Sequence, residues 1–142
     1  MDLKSLLQKH LIEKTKSDKE LANELTKAAE KDIIAATDIL KAKHADWAFV
    51  AAYNAMLSAG RALMAMQGYR AYGESHHIAV VQFCAAAMPT GAAPLIGAFN
   101  RYRVRRHDVV YGEIKSVSNG EAETAIKNAG EFIEKIKQLC KL

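Results

Sequence analysis

A chain of 142 residues, half of them hydrophobic and with a formal net charge of +4, suits one domain with one ordinary core. No run approaches the roughly 20 apolar residues that a membrane span needs, and the charge-scattered start does not read as a signal peptide. Cys84 and Cys140 stand far apart without ligand spacing, which speaks against a disulfide framework or zinc site and points to a reducing cytoplasm.

In chain order, Leu3 to about Lys14 predicts a short amphipathic helix, set apart as an extension over residues 1–16. Ser17-Asp-Lys-Glu20 is a capping box that opens a second helix, expected to run to about Lys43. Its apolar face is Leu21, Leu25, Ala28, Ala29, Ala36, Ile39 and Leu40, with Asp32 projecting into the same arc. An isolated carboxylate there carries a large desolvation cost, so Asp32 is expected to be structural, buried and paired with Arg103, Arg106 or His107.

From Asp46, read as the cap, to about Gln67 the sequence is apolar nearly all round, which predicts a helix buried by neighbours or by a partner chain. Asn54, Ser58 and Arg61 form one polar stripe on it, which inside apolar surroundings must be hydrogen-bonded to something. Gly68, Gly73 and Ser75 punctuate a loop, and His76 to about Met88 reads as a further helix, because no second strand exists to pair with its apolar run. The paired His76 and His77 follow a loop and could touch a ligand, but histidines at a helix start are usually surface residues, and they are left out of the site. Tyr69, Tyr72 and Trp47 could stack on bases, but aromatics at such positions are more often packing residues, and they are taken as such.

Ala93 to Tyr111 predicts the next helix, ended by Gly112. Ser118 to Glu121 is a second capping box, and Ala125, Ala129, Phe132, Ile133 and Ile136 stripe the last helix. The expected architecture is all-α: an up-and-down bundle of about four main helices over residues 17–142, plus the short N-terminal helix. No cluster of carboxylates or of His and Cys has metal-ligand spacing, so neither metal nor other cofactor is expected.

Charge type is segregated. Every Lys precedes Asp46 or follows Tyr111, whereas Arg61, Arg70, Arg101, Arg103, Arg105 and Arg106 fall between them. Arg grips phosphate or carboxylate with a planar fork that Lys lacks. The other reading is that these arginines are partly buried and paired with acids.

Arg101-Tyr-Arg-Val-Arg-Arg-His107, late in a helical chain, gives Arg-x5-His, and it resembles the motif of the HEPN family. Ala-Ala-Tyr53-Asn54-Ala-Met-Leu-Ser58-Ala-Gly-Arg61-Ala-Leu, with Gly68-Tyr69-Arg70, looks like a core helix and loop of small archaeal and bacterial members, and Lys31-Asp32-Ile-Ile-Ala-Ala looks like another. Many nuclease members place a polar residue after the arginine, where this chain has Tyr102.

The resemblance implies metal-independent RNA cleavage by attack of the 2′-hydroxyl on the adjacent phosphorus, with Arg101, Arg103 and His107 as the catalytic candidates. It also implies a homodimer and, for many small members, a ribonuclease toxin held by a nucleotidyltransferase-type antitoxin. The alternative is a non-catalytic module that binds nucleotide or such a protein partner. An imidazole titrates near neutrality, at about 6.5 when unperturbed, which suits proton transfer, and a neighbouring Arg would stabilise charge on the phosphate oxygens. The other reading of His107 is a helix-terminal histidine on the last carbonyls.

Helical geometry separates the two arginines. Asn100, Arg103, His107 and Tyr111 fall at i, i+3, i+7 and i+11 on one face, whereas Arg101 lies well round the cylinder. Arg103 is therefore the expected cis partner. Asn100, Arg106, Tyr111, Asn54 and Arg61 are the candidate binding residues, with Arg106 expected to snorkel or to meet an acid such as Asp32.

Overall fold

The computed structural model describes residues 1–73, 76–112 and 117–142. Ser75 of the expected loop lies outside the described residues. Within them the chain forms six α-helices and one small two-stranded ribbon: α1 Leu3–Gln8, β1 Ile12–Lys14, α2 Lys19–Lys41, α3 Ala45–Gln67, β2 Tyr69–Ala71, α4 His76–Ala87, α5 Ala93–Val110 and α6 Asn119–Cys140. None of these helices is long and apolar enough to cross a membrane.

The N-terminal helix is shorter than its apolar pattern suggests. It ends when His10 turns to a left-handed φ of 56°, and the chain then extends as β1, antiparallel to β2 with Glu13 opposite Arg70. That pair is ion-bonded. Three residues per strand is too short a run for period-two alternation to be read. Leu6 and Ile12 are buried in the same core as the main helices, so the segment is an integral part of the packing.

The start of α2 also differs from expectation, and the reason is the end of α3. Asp18 is the cap, its carboxylate accepting the Leu21 N–H at 2.9 Å. Ser17 instead donates its hydroxyl to the Met66 carbonyl at 2.5 Å, while the N–H groups of Thr15 and Asp18 donate to the Gly68 and Ala65 carbonyls, each at 2.9 Å. Residues 15–18 thus satisfy carbonyls that the last turn of a helix leaves without partners. Gly68 is doubly required, for its φ is +81° and a Cβ would stand 2.9 Å from the Thr15 carbonyl oxygen.

On α2 the buried residues are Ala22, Thr26, Ala29 and Ala36, while Leu21 is exposed, Ala28 is exposed, and Leu25, Ile39 and Leu40 are only partly covered. The face is rotated toward small side chains because α2 packs closely along the alanine-rich α3. The latter is the central helix, with Ala48, Phe49, Tyr53, Met56, Leu63 and eight further residues of the helix buried besides Gly60. Gly60 marks its closest crossing, where a Cβ would meet Val80 Cγ1 at 2.5 Å and Cys84 Sγ at 3.2 Å. Asp46 does not cap α3. His44 holds that position without a side-chain bond, and the Asp46 carboxylate accepts the Val117 N–H at 2.6 Å, tying the entry to α6 across 71 residues.

The second capping site is present as read, Ser118 Oγ accepting the Glu121 N–H at 3.1 Å, and all five stripe residues of α6 are buried. Both cysteines are free and buried, and burial pushes the Cys84 thiol up to about 12. Helices α2 and α6 pack on α3, and α5 packs on α3, α4 and α6, which leaves α5 beside the first turn of α4.

Candidate functional site

The α4–α5 junction opens into a cleft of about 380 Å³ lined by His77 from α4 and by Arg103, Val104, Arg106, His107 and Asp108 from α5. The i, i+3, i+7 spacing of α5 puts these side chains on its outward-facing arc, while Leu95, Ala98, Phe99 and Tyr102 hold the helix to the core. Tyr102 accepts a hydrogen bond from Asn128 at 2.8 Å. Arg105 forks onto Glu121 through Nε at 2.8 Å and its terminal nitrogen at 3.2 Å. This acid pairing, one of the two readings of the arginines although with a partner the sequence did not name, fixes α5 against α6 and leaves its neighbours Arg103 and Arg106 facing the cleft.

The expected single-face stripe is assembled. Asn100 Oδ1 accepts the Arg103 Nε–H at 3.1 Å, and the His107 and Tyr111 rings stand 4.7 Å apart between centroids. Arg103 and His107 share the cleft. Arg101 is exposed and lines no part of it. Arg106 is half-buried, and its Nε is a buried donor without a hydrogen-bond partner among the described residues.

Asp32 is not the acid for any of these groups. It lies half-buried on α2, and no hydrogen bond or ion pair joins it to Arg103, Arg106 or His107 among the described residues. Helix α2 packs on α3 and α6, whereas α5 packs on α3, α4 and α6. Burial raises its carboxyl pKa and Lys31 lowers it. The expected buried stripe on α3 is also corrected: Asn54 is exposed, and Ser58 and Arg61 are half-buried, so the solvent-facing side of this helix is polar. Trp47 and Tyr72, taken as packing residues, are 58% and 47% exposed, while the Tyr69 ring does pack, 5.4 Å from Phe83.

Two residues enter the site besides those expected: Tyr53, which the sequence did not indicate, and His77, which it offered as a ligand contact but left out of the site. Tyr53, fully buried on α3, places its hydroxyl 2.8 Å from His77 Nδ1, and the two rings stack at 5.7 Å. Burial pushes the Tyr53 phenol up to about 12, against the pull of Arg106, Arg103 and Arg61. Burial, then Arg106, Arg61, Arg103 and His76, hold His77 below the usual imidazole range. Three guanidinium groups therefore act together on one tyrosine–histidine pair. The available signal was Tyr53 itself, since a phenol in an otherwise apolar helix needs a hydrogen-bond partner, but nothing in the spacing names His77 as that partner.

A second cleft, of about 430 Å³ beside the ribbon, is lined by Lys16, Arg61, Tyr69, Arg70 and His76 among others. Asp108 supplies the only carboxylate among the residues lining the first cleft. Among the described residues no three His, Cys, Asp or Glu side chains are grouped to hold a metal ion. The arrangement can bind an anion between two arginines and offer it an imidazole from either wall.

A family model described as HEPN domain matches residues 22–139. No curated protein sequence matches the chain.

Proposed function

The chain belongs to the HEPN domain family, and we propose that its α4–α5 cleft binds an RNA phosphate and cleaves the RNA without a metal ion, through His107 and Arg103. The observation that carries this reading is the convergence of Arg103, Arg106 and His107 on one cleft. The 2′-hydroxyl attacks the adjacent phosphorus, the bond to the 5′-oxygen breaks, and the products end in a 2′,3′-cyclic phosphate and a 5′-hydroxyl. Arg103 and Arg106 hold the phosphate oxygens and stabilise the charge that grows on them, a role for fixed, permanently protonated donors. His107 moves a proton. Arg101, off the cleft, is assigned no part in the chemistry.

The cleft beside the ribbon supports a substrate longer than one nucleotide, since Lys16, Arg61 and Arg70 offer charge to further phosphates and Tyr69 offers an aromatic face. That mixed lining also favours a second reading, a module that binds a nucleotide without cutting RNA. In the first reading the protein acts as a homodimer and as a ribonuclease toxin restrained by a nucleotidyltransferase-type antitoxin. The apolar Trp47 and Val104, 58% and 51% exposed, support pairing with another chain.

Incubation of the purified protein with total RNA in excess chelator tests the proposal. Fragments with cyclic phosphate ends, lost in a folded His107→Ala variant, are expected. Intact RNA with retained nucleotide binding would favour the second reading.

A further inference from the structure

Forming a cyclic phosphate moves two protons, one leaving the 2′-hydroxyl and one arriving at the departing 5′-oxygen. In a displacement at phosphorus the entering and leaving oxygens stand roughly in line on opposite sides. One imidazole on one wall serves both positions poorly. Arg103 and Arg106 cannot accept a proton, because a guanidinium stays charged, and Asp108 stands on the same wall as His107. The cleft's opposite wall carries His77.

We propose that His77 is the general base of this site and His107 its general acid, an assignment that rests on the RNA-cleaving reading. His77 Nε2 takes the 2′-hydroxyl proton as the O2′–P bond forms. His107 gives a proton to the 5′-oxygen as the P–O5′ bond breaks. Solvent then returns each ring to its starting state.

In the tautomer this role requires, Nδ1–H donates to the Tyr53 oxygen across 2.8 Å and the lone pair sits on Nε2. The same bond persists when Nε2 gains its proton, so the imidazolium keeps its partner. The Tyr53 ring is fully buried and stacked on the imidazole, which holds the base in one orientation. The phenol, pushed up to about 12, does not compete for the proton.

The charged groups facing His77 act in the same sense. Arg61 from α3, Arg103 and Arg106 from α5, and His76 on its own helix add to burial in disfavouring the imidazolium. The free site therefore keeps His77 neutral and able to accept. A bound phosphate offsets the arginine charge and raises its basicity when the substrate is in place.

The test compares an RNA oligonucleotide with uridine 3′-(4-nitrophenyl phosphate), whose leaving group departs without a proton. His77→Asn, which keeps a polar atom near the Nδ1 position, should lower the rate on both substrates by roughly 10²–10⁴-fold, the range for loss of general acid–base catalysis. His107→Ala should lose a similar factor on RNA and far less on the ester. Circular dichroism checks that each variant is folded; should His77→Asn unfold, Tyr53→Phe replaces it and is expected to slow both substrates. Wild-type and His107→Ala behaving as stated while His77→Asn, or its replacement, cuts both substrates at the wild-type rate would remove His77 alone. A wild-type protein inert on both substrates would remove the nuclease reading, and this role with it.

Discussion

The Tyr53 hydroxyl oxygen and His77 Nδ1, 24 residues apart, meet at 2.8 Å and join the central helix α3 to the first turn of α4. Because His77 titrates below its usual range in the folded chain, the folded state binds fewer protons than the unfolded one below about pH 6.5, the usual imidazole value. The sign follows directly: stability is complete above that pH and falls as pH drops toward the folded value. Urea unfolding should give a lower midpoint at pH 5.5 than at pH 7.5, and His77→Asn should narrow the gap. An equal gap in both proteins would show that His77 is not the group responsible.

Gly60→Ala sets two effects against each other. Alanine is better than glycine inside a helix by about 1 kcal/mol, but its Cβ would stand 2.5 Å from Val80 Cγ1, on a side chain stiff at χ1. Overpacking of this kind costs about 1–3 kcal/mol, so the variant should be less stable than wild type by calorimetry. A higher melting temperature would mean that α3 and α4 are further apart than described.

Asp32→Asn should change stability by no more than about 0.5 kcal/mol at pH 7, in the stabilising direction, since the carboxylate is partly desolvated and has no ion-pair partner among the described residues to lose. A loss of several kcal/mol in equilibrium unfolding would show that Asp32 holds an arginine or histidine after all.

Asp32 also marks where sequence reasoning stops. Periodicity located the long helices, because an apolar stripe recurring with a helical period constrains little else, and Ser118 with Glu121 announced the start of α6 correctly. Face assignments failed in part where small residues decided the packing: α2 buries the expected Ala29 and Ala36 but adds Ala22 and Thr26 and leaves Leu21 exposed. The α5 stripe of Asn100, Arg103, His107 and Tyr111 was legible, being local to one helix. Contacts between helices were not. Arg105 with Glu121, Tyr53 with His77 and Ser17 with Met66 depend on which helices adjoin, and nothing in residue spacing supplies that.

Assembly is a separate expectation. Light scattering at micromolar concentration should give twice the monomer mass, and Trp47→Ser should weaken the pair if the exposed indole lies in the interface. A monomer throughout would leave each cleft to work alone.

The most direct measurement of the central claim is the initial rate of cleavage of a defined RNA oligonucleotide, in excess chelator, by Arg101→Ala, Arg103→Ala and His107→Ala beside wild type. Removing one stabilising donor typically costs about 10²–10³-fold and removing the proton-transfer group about 10²–10⁴-fold, so Arg103→Ala and His107→Ala should each fall by those orders. Arg101→Ala, whose side chain lies outside the cleft, should stay close to wild type. Undetectable cleavage by wild type, or a loss in Arg101→Ala with Arg103→Ala unaffected, would contradict the account.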